Sequence, residues 1–382
     1  MRLLIVQMTG NYPLDIGGPA TVAYYLAYHL AKKGVEASML IRLKERNELE
    51  KLRETHEFNI LEKNVEIIPV HMRYDLKSML NVPGVLYKIY KTTRNFKPEN
   101  YDIIHYNSPP VDVTLFFPPK SKNKSKQTIA IHGGLLYESK NFIGRFLLRK
   151  YANLFHKVIA LNNFSRKLAL NAGFEESKIA QIPNGVDVDY FDSLETFPLE
   201  GDPSIIYAGR LAKIKGVDVL LNAFYYVLKK LPNAHLYIIG DGKEKKNLTK
   251  LAEKLVLKNV KFEGFIPSTK KVHQYIKSSD IFVLPSYREN FSISLLEAMA
   301  AKTPIIASNA EGNMEVLSSD KALFFNRGDS KELAEKIIQL ANDKNFRTKL
   351  AEKAYSLAAS RYSWSVVAAQ YISVFNEVVN KC

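Results

Sequence analysis

Two carboxylates, Glu289 and Glu297, flank an apolar stretch of the segment YRENFSISLLEAMAAKTPIIAS (287–308) that begins like a helix near Ser292. Glu289 sits in the preceding loop and Glu297 one to two turns into the helix, so both can reach one mouth. Three chemistries are open to them. As an acid/base pair, one would protonate a leaving group while the other acted as base or nucleophile across a scissile bond. As a clamp, both would accept hydrogen bonds from sugar hydroxyls, leaving the helix-start amides around Phe291, Ser292 and Ile293 for phosphate. As solvated charges they would do neither.

Other segments place polar groups where a strand ends and a helix begins. In IIYAGRLAKIKGVDVLLNAF, Arg210 and Lys215 converge on one strand-to-helix turn. That suits a diphosphate, since arginine binds it bidentately and lysine adds a point charge. In IAIHGG, His132 closes a strand, where it could serve a substrate hydroxyl or be a histidine satisfied inside the fold. Gly17 and Gly18 precede Pro19 in MTGNYPLDIGGPA; a glycine pair lets backbone approach an anion, and it equally makes a plain turn. Asp187 and Asp189 spell D-x-D, a pattern that can bridge a divalent metal to a diphosphate. They follow the tight turn Asn184–Gly185 into irregular chain, so a metal is not expected.

Positioning these groups requires strands alternating with crossover helices, and the chain reads that way from end to end. The first half predicts strands near 2–8, 35–41, 65–70, 102–106, 127–131, 157–160 and 178–182, with helices at 19–33, 80–95 and 142–155 among them. An acidic, Pro- and Gly-bearing stretch, IPNGVDVDYFDSLETFPLEGDP, reads as a linker. The alternation then restarts with strands at 204–208, 234–239, 259–262, 280–284 and 304–307. Helices are expected at 216–230, 244–255, 268–277 and 292–301, then across 330–360 and after Trp364. The expected fold class is α/β, two Rossmann-like doubly wound domains facing across a cleft, with ligand beyond the carboxyl ends of the strands.

Length and composition agree. At 382 residues the chain exceeds a single ordinary core, and 46% hydrophobic with 24% charged residues describes a soluble globular protein. No apolar run is long enough to span a membrane. The opening MRLLIVQMTGNYP reads as a first strand and not as a signal peptide. The lone Cys382 excludes a disulfide framework, and a cytoplasmic location is expected. The net charge of +15 is concentrated: residues 71–157 hold 15 Lys/Arg against 5 Asp/Glu, whereas residues 1–70 hold 9 of each. Within that region KSKNKSK reads as a solubilising tract. In NFIGRFLLRKYANLF, Phe142, Phe146 and Leu147 fall at helical spacing among Arg145, Arg149 and Lys150, as in a helix lying on an anionic membrane surface or in an ordinary packed one. No nucleic-acid-reading module and no dinucleotide fingerprint is present, which argues against a nucleic-acid partner and a dehydrogenase.

Taken in order, GGP, IHGG, IPNGVD, YAGRLAKIKGVDVLLNAF, IIGDG, VKFEGFIP, DIFVLPSYRENFSISLLEAMAAKTPIIAS and GNMEVL resemble the retaining glycosyltransferases of family 4, which have the GT-B fold. The resemblance implies an acceptor-side domain over 1–187, a nucleotide-sugar domain over 188–363 and a last helix, 364–382, crossing back to the first domain. It makes Glu289 a ligand of the donor sugar and Glu297 of the ribose, and so favours the clamp. Arg210 and Lys215 would hold the diphosphate, His132 the transferred sugar, Gly17 and Gly18 the phosphate and acceptor side, and Gly264 and Phe265 the base. Asn184, Phe291, Ser292 and Ile293 complete the implied donor site, and no metal or other cofactor is implied. The chain departs from many members at Ser292, where they have glycine, and at Glu311, which stands before Gly312 where a second glycine is common. A UDP- or GDP-linked sugar and a glycan or lipid-linked glycan acceptor, met at the inner face of a membrane, are the implied partners. A nucleotide-sugar epimerase or hydrolase, or a non-catalytic binder of sugar nucleotides, would carry the same grip.

Overall fold

The structure is a computed structural model. It describes residues 1–7, 11–12, 18–45, 47–71, 98–107, 126–132, 152 and 155–380. Gly17, the predicted helices 80–95 and 142–155, the lysine tract and the amphipathic residues 142–150 lie outside or almost wholly outside these. The chain divides into two compact units: residues 1–184 joined by the segment from Trp364 onward, and residues 185–363.

In the first unit, β1 (Arg2–Gln7), α1 (Gly18–Lys32), β2 (Glu36–Leu43), α2 (Glu48–Arg53), α3 (His56–Glu62), β3 (Glu66–His71), β4 (Ile103–Asn107), β5 (Lys126–Ile131), β6 (Lys157–Ala160), α4 (Asn163–Asn171) and β7 (Ile179–Gln181) follow one another. The inner strands β1, β2, β4, β5 and β6 are buried almost throughout, as strands covered on both faces must be, whereas the edge strands β3 and β7 are largely accessible. They pair in parallel in the order β3-β2-β1-β4-β5-β6-β7.

The second unit contains α5 (Val188–Ser193), β8 (Ser204–Ala208), α6 (Val217–Leu228), β9 (His235–Ile239), α7 (Lys245–Lys254), β10 (Val260–Gly264), α8 (Thr269–Ser278), β11 (Ile281–Leu284), α9 (Ile293–Ala300), β12 (Ile305–Ser308), α10 (Glu311–Val316), β13 (Leu323–Phe325), α11 (Ser330–Asn342) and α12 (Lys344–Leu357). Its sheet runs β10-β9-β8-β11-β12-β13, again all parallel. Strand order reverses between β1 and β4 in one unit and between β8 and β11 in the other. These are the switch points beyond which open α/β sheets bind ligands. Two cores, one on each face of this sheet, are built from the buried stripes of the helices: Val217, Leu220, Leu221, Phe224 and Val227 of α6 on one side, Leu295, Leu296 and Met299 of α9 on the other.

The expected linker is partly structured. Asp187 caps α5, its carboxylate accepting from the Tyr190 N–H at 3.1 Å, and Val186 already bridges Ser363. The unit boundary therefore falls after Asn184, three residues ahead of the expected one. The acidic composition of 187–195 hid a helix of under two turns whose apolar content is little more than Val188 and Phe191.

The last helix, α13 (Trp364–Asn380), returns the chain to the first unit. Trp364, Val367, Ala368, Tyr371, Phe375 and Val378 form one buried stripe at helical spacing. Trp364 stacks on Tyr25 and His29 of α1 at 6.0 and 5.8 Å, and Tyr371 and Phe375 each lie 5.6 Å from the His105 ring of β4. Among the described residues no helix is long and apolar enough to cross a membrane.

Because Phe375 is fully buried, Phe375→Ala should cost about 3–5 kcal/mol of stability. Trp364 is the only tryptophan of the chain and sits in this unit, so its fluorescence during urea unfolding reads the loss directly. A change below about 1 kcal/mol would mean that α13 is not part of this core.

Candidate functional site

At the switch point of the second unit, β8 ends in Gly209–Arg210 and a 3₁₀ turn, Lys213–Lys215, leads into α6. Gly216 starts that helix at φ +65°, and a Cβ there would stand 2.1 Å from the Pro285 carbonyl oxygen. Only glycine allows this approach. The two loops are also joined where the Tyr287 N–H donates to the Ile214 carbonyl at 2.8 Å. The turn after β8 is thus fastened to the loop after β11, and the Lys215 ammonium meets the Glu289 carboxylate at 2.6 Å. Both side chains are largely buried, at 19% and 10% exposure, so solvent screens the pair weakly.

A column of polar groups buried out of solvent braces Glu289. The Ser286 hydroxyl donates to its Oε2 at 3.3 Å, the Ser308 hydroxyl donates to the Ser286 carbonyl at 2.6 Å, and Asn313 Nδ2 donates to the Ser308 carbonyl at 3.1 Å. Gly312, in the first turn of α10, packs so closely that a Cβ would stand 2.2 Å from the Asn290 carbonyl oxygen. Ser286, Ser308 and Asn313 carry no periodicity or motif of their own, and a fully buried serine at a strand end is invisible until the strands are paired.

Arg210 is exposed, and its carbonyl accepts from the Tyr207 hydroxyl at 3.0 Å. Burial pushes the Tyr207 phenol up; the Glu289 carboxylate adds to that shift and the Arg210 guanidinium opposes it, which places both charges around one ring. Ser292 caps α9, its hydroxyl accepting from the Leu295 N–H at 3.3 Å, and this is what serine does here in place of glycine. Phe291 packs on the core 6.0 Å from the Tyr362 ring, Ile293 opens α9, and Glu311 is exposed at the start of α10. Gly264 adopts φ +68° and accepts from the Gly240 N–H, and Phe265 beside it is 45% exposed. Glu297 accepts from His273 Nε2 at 3.1 Å, a partner that sequence reasoning did not supply. Arg210, Lys215 and Glu289 are therefore gathered around the β8–β11 crevice.

The first unit has its own cluster at its switch point. Asn107, ending β4, donates through Nδ2 to Gln7 Oε1 of β1 at 2.9 Å and to the Pro19 carbonyl of α1 at 2.8 Å. Its Oδ1 therefore faces His132 Nε2, 3.1 Å away. An acceptor there requires the proton on Nε2 and leaves Nδ1 with its lone pair. Gly18, exposed, is the first residue of α1 next to Pro19. Asn184 is buried, with Oδ1 unpartnered among the described residues. Gln7 and Asn107 were not singled out from sequence, since an amide at a strand end has no signature.

Comparison with known proteins decides the family. The description "Glycosyltransferase Family 4" matches residues 16–190 and "Glycosyl transferases group 1" matches residues 193–357, so the two cover nearly the whole chain. The chain belongs to glycosyltransferase family 4. It is 33% identical over 226 residues to the phosphatidyl-myo-inositol mannosyltransferase of Mycobacterium leprae, a match covering 58% of this chain and 59% of that one. It is 29% identical over 174 residues to the lipopolysaccharide core biosynthesis glycosyltransferase LpsE of Rhizobium meliloti, covering 45% and 49%. The chain thus spans about half to three fifths of the length of these relatives. Crystal structures of Anabaena HepE with UDP share the fold: TM-score 0.75, 21% identity, 99% of this chain and 100% of that one. Sucrose-phosphate synthase from Thermosynechococcus elongatus aligns with TM-score 0.79 at 17% identity over 98% of this chain. The family 4 chain therefore carries two Rossmann-like parallel-sheet domains of the GT-B class, as the motif order implied.

Burial holds the His132 imidazolium form down to about 4, and burial, with the neighbouring His132, holds His105 down to about 3. Unfolded, both would titrate near 6.5. Above that pH neither affects stability. As pH falls through 6.5 the unfolded chain binds protons that the folded one refuses, so stability falls, by about 1.4 kcal/mol per pH unit per histidine, until each folded value is reached. Urea unfolding followed by Trp364 fluorescence at pH 7 and pH 5 should show this loss. Equal stability at the two pH values would mean that the imidazoles are not shielded.

Proposed function

We propose that the protein is a retaining glycosyltransferase that moves a sugar from a UDP- or GDP-linked donor to a glycan or lipid-linked glycan acceptor without a metal. The observation that carries this reading is the Lys215–Glu289 pair beside Arg210 at the β8–β11 crevice. A lone carboxylate pair would suit hydrolysis. A carboxylate sharing its place with two cations suits a ligand bearing both hydroxyls and a diphosphate.

In this reading Glu289 accepts from hydroxyls of the donor sugar, and Glu297 from the ribose. Lys215 has three N–H donors, of which Glu289 takes one, leaving others for the diphosphate. Phe265, exposed beside the left-handed Gly264, offers a face to the base, and the amides around Phe291 and Ile293 add donors at the start of α9. As the glycosidic bond breaks, negative charge grows on the departing diphosphate. Lys215, held beforehand by Glu289, and Arg210 stabilise it, and preorganised charge of this kind is commonly the main source of rate enhancement. The acceptor hydroxyl enters on the same face, and the leaving phosphate oxygen takes its proton, so no protein base is needed. In the first unit a neutral His132, its Nδ1 an acceptor, suits a hydroxyl of the transferred sugar. Asp187 caps α5, which supports reading it as a structural residue.

The M. leprae relative is named for phosphatidyl-myo-inositol and the R. meliloti relative for lipopolysaccharide core biosynthesis. With the basic excess of residues 71–157, this favours an acceptor at a membrane surface reached peripherally from the cytoplasmic side. Incubating the protein with labelled UDP- and GDP-sugars and a membrane extract tests the reading. Transfer with the anomeric configuration kept is expected; donor consumption without acceptor would instead indicate the epimerase or hydrolase.

Arg210→Ala and Lys215→Ala should each lower kcat/KM by roughly a hundredfold or more, Arg210→Ala at unchanged Tm and Lys215→Ala at a lowered Tm, because it leaves the Glu289 carboxylate buried without its cation. Normal turnover by both would put the diphosphate elsewhere. Activity should be the same with and without EDTA; loss on chelation with rescue by Mg²⁺ or Mn²⁺ would overturn the metal-free mechanism.

A further inference from the structure

His273 lies on α8 and is 4% exposed. It joins two groups: Nε2 lies 3.1 Å from Glu297 Oε1, and Nδ1 lies 3.3 Å from the Tyr190 hydroxyl of α5. The proton positions follow from the acceptors. A carboxylate can only accept, so Nε2 carries hydrogen; Nδ1 of the neutral ring then accepts from the Tyr190 O–H. The polarity of the chain Tyr190 to His273 to Glu297 runs one way, each O–H or N–H pointing toward the carboxylate.

The imidazole is fixed in place as well as in tautomer. Its ring lies 4.7 Å from that of Phe191 and 5.5 Å from that of Tyr190. One turn further along α8, Lys277 holds the end of the same short helix, its ammonium donating to the Phe191 carbonyl at 2.6 Å and to the Leu194 carbonyl at 2.7 Å. His273 and Lys277 stand four residues apart, on one helix face, and both grip α5. Glu297 in turn keeps 17% exposure, and its second oxygen, Oε2, has no partner among the described residues. One carboxylate oxygen is thus tied inward, while the side chain keeps contact with solvent.

We propose that His273 is a positioning residue for Glu297, with Tyr190 fixing its tautomer, so that Glu297 presents one oriented oxygen to the vicinal hydroxyls of a nucleotide ribose. This rests on the reading of Glu297 as a ribose ligand. A carboxylate that could rotate freely would accept from water as readily as from a diol. One held in a single rotamer discriminates between a ribose and a sugar lacking a hydroxyl, because the fixed acceptor is left unpaired when that hydroxyl is missing.

The test measures binding by calorimetry of UDP and GDP, and of the 2′-deoxy form of whichever binds. The wild-type chain should prefer the ribonucleotide by about tenfold or more, a margin of about 1.4 kcal/mol. His273→Phe keeps an aromatic ring and removes the donor; it should reduce that preference to threefold or less while binding of the 2′-deoxy form changes little. His273→Gln, which restores an N–H, should recover part of the preference, and Tyr190→Phe should lower it by a smaller factor. If His273→Phe and Tyr190→Phe both keep the wild-type ratio, His273 is a packing residue and the proposal falls. Should His273→Phe fail to fold, an unchanged ratio in Tyr190→Phe and His273→Gln overturns it alone. Glu297→Gln separates the two claims: wild-type discrimination in that variant, or no binding of either nucleotide by the unaltered chain, sinks the ribose reading itself.

Discussion

The second unit depends on how closely two loops can approach at the reversal of its sheet. Gly216 and the Pro285 carbonyl leave no space for a side chain between them, and the Tyr287–Ile214 hydrogen bond fastens the same contact. That approach is what brings a lysine from one βα turn onto a carboxylate from another. A largely buried ion pair is not by itself a stabilising device, since desolvation offsets most of its attraction. Its value here is geometric: it holds a cation and an anion ready at the edge of a crevice, each with hydrogen-bonding capacity left over. The buried serines and Asn313 behind Glu289 keep the loop from relaxing, and α10 closes over it through Gly312.

The same architecture appears in the first unit with different chemistry. There the reversal between β1 and β4 joins two amides, Gln7 and Asn107, and the second amide orients an imidazole. Among the described residues of this cluster no charged side chain takes part, and burial keeps the histidine neutral. One unit thus presents charge and the other presents neutral hydrogen-bonding groups.

Much of this was legible in the sequence where physics acts locally. β8, β9, β11 and β12 lie within a residue or so of the expected strands because short runs such as IFVL and IIAS, bounded by turn residues, have few alternatives. Glu289, Glu297, Arg210 and Lys215 could be picked out because charges at strand-to-helix turns are conspicuous. What escaped was whatever depends on pairing at a distance. Ser286, Ser308, His273 and Asn107 are ordinary residues until another strand or helix supplies a partner. Helix α5 escaped because its fewer than two turns, capped and interrupted by aspartates, resemble a loop, and it is α8, through Lys277, that secures them. The role of the serine that departs from glycine at 292 shows only in the structure, where the Leu295 N–H donates to it as the cap of α9.

The first unit is assembled from both ends of the chain, whereas the second is one uninterrupted segment. On a ribosome, domains ordinarily complete in the order in which they emerge. Here that order is inverted. Residues 185–363 can reach their native state first, while the seven-stranded sheet, though translated earlier, must wait with the surface around His105 uncovered until Tyr371 and Phe375 arrive. Nascent chains interrupted before that point would expose an apolar face, and so would be natural clients for chaperones.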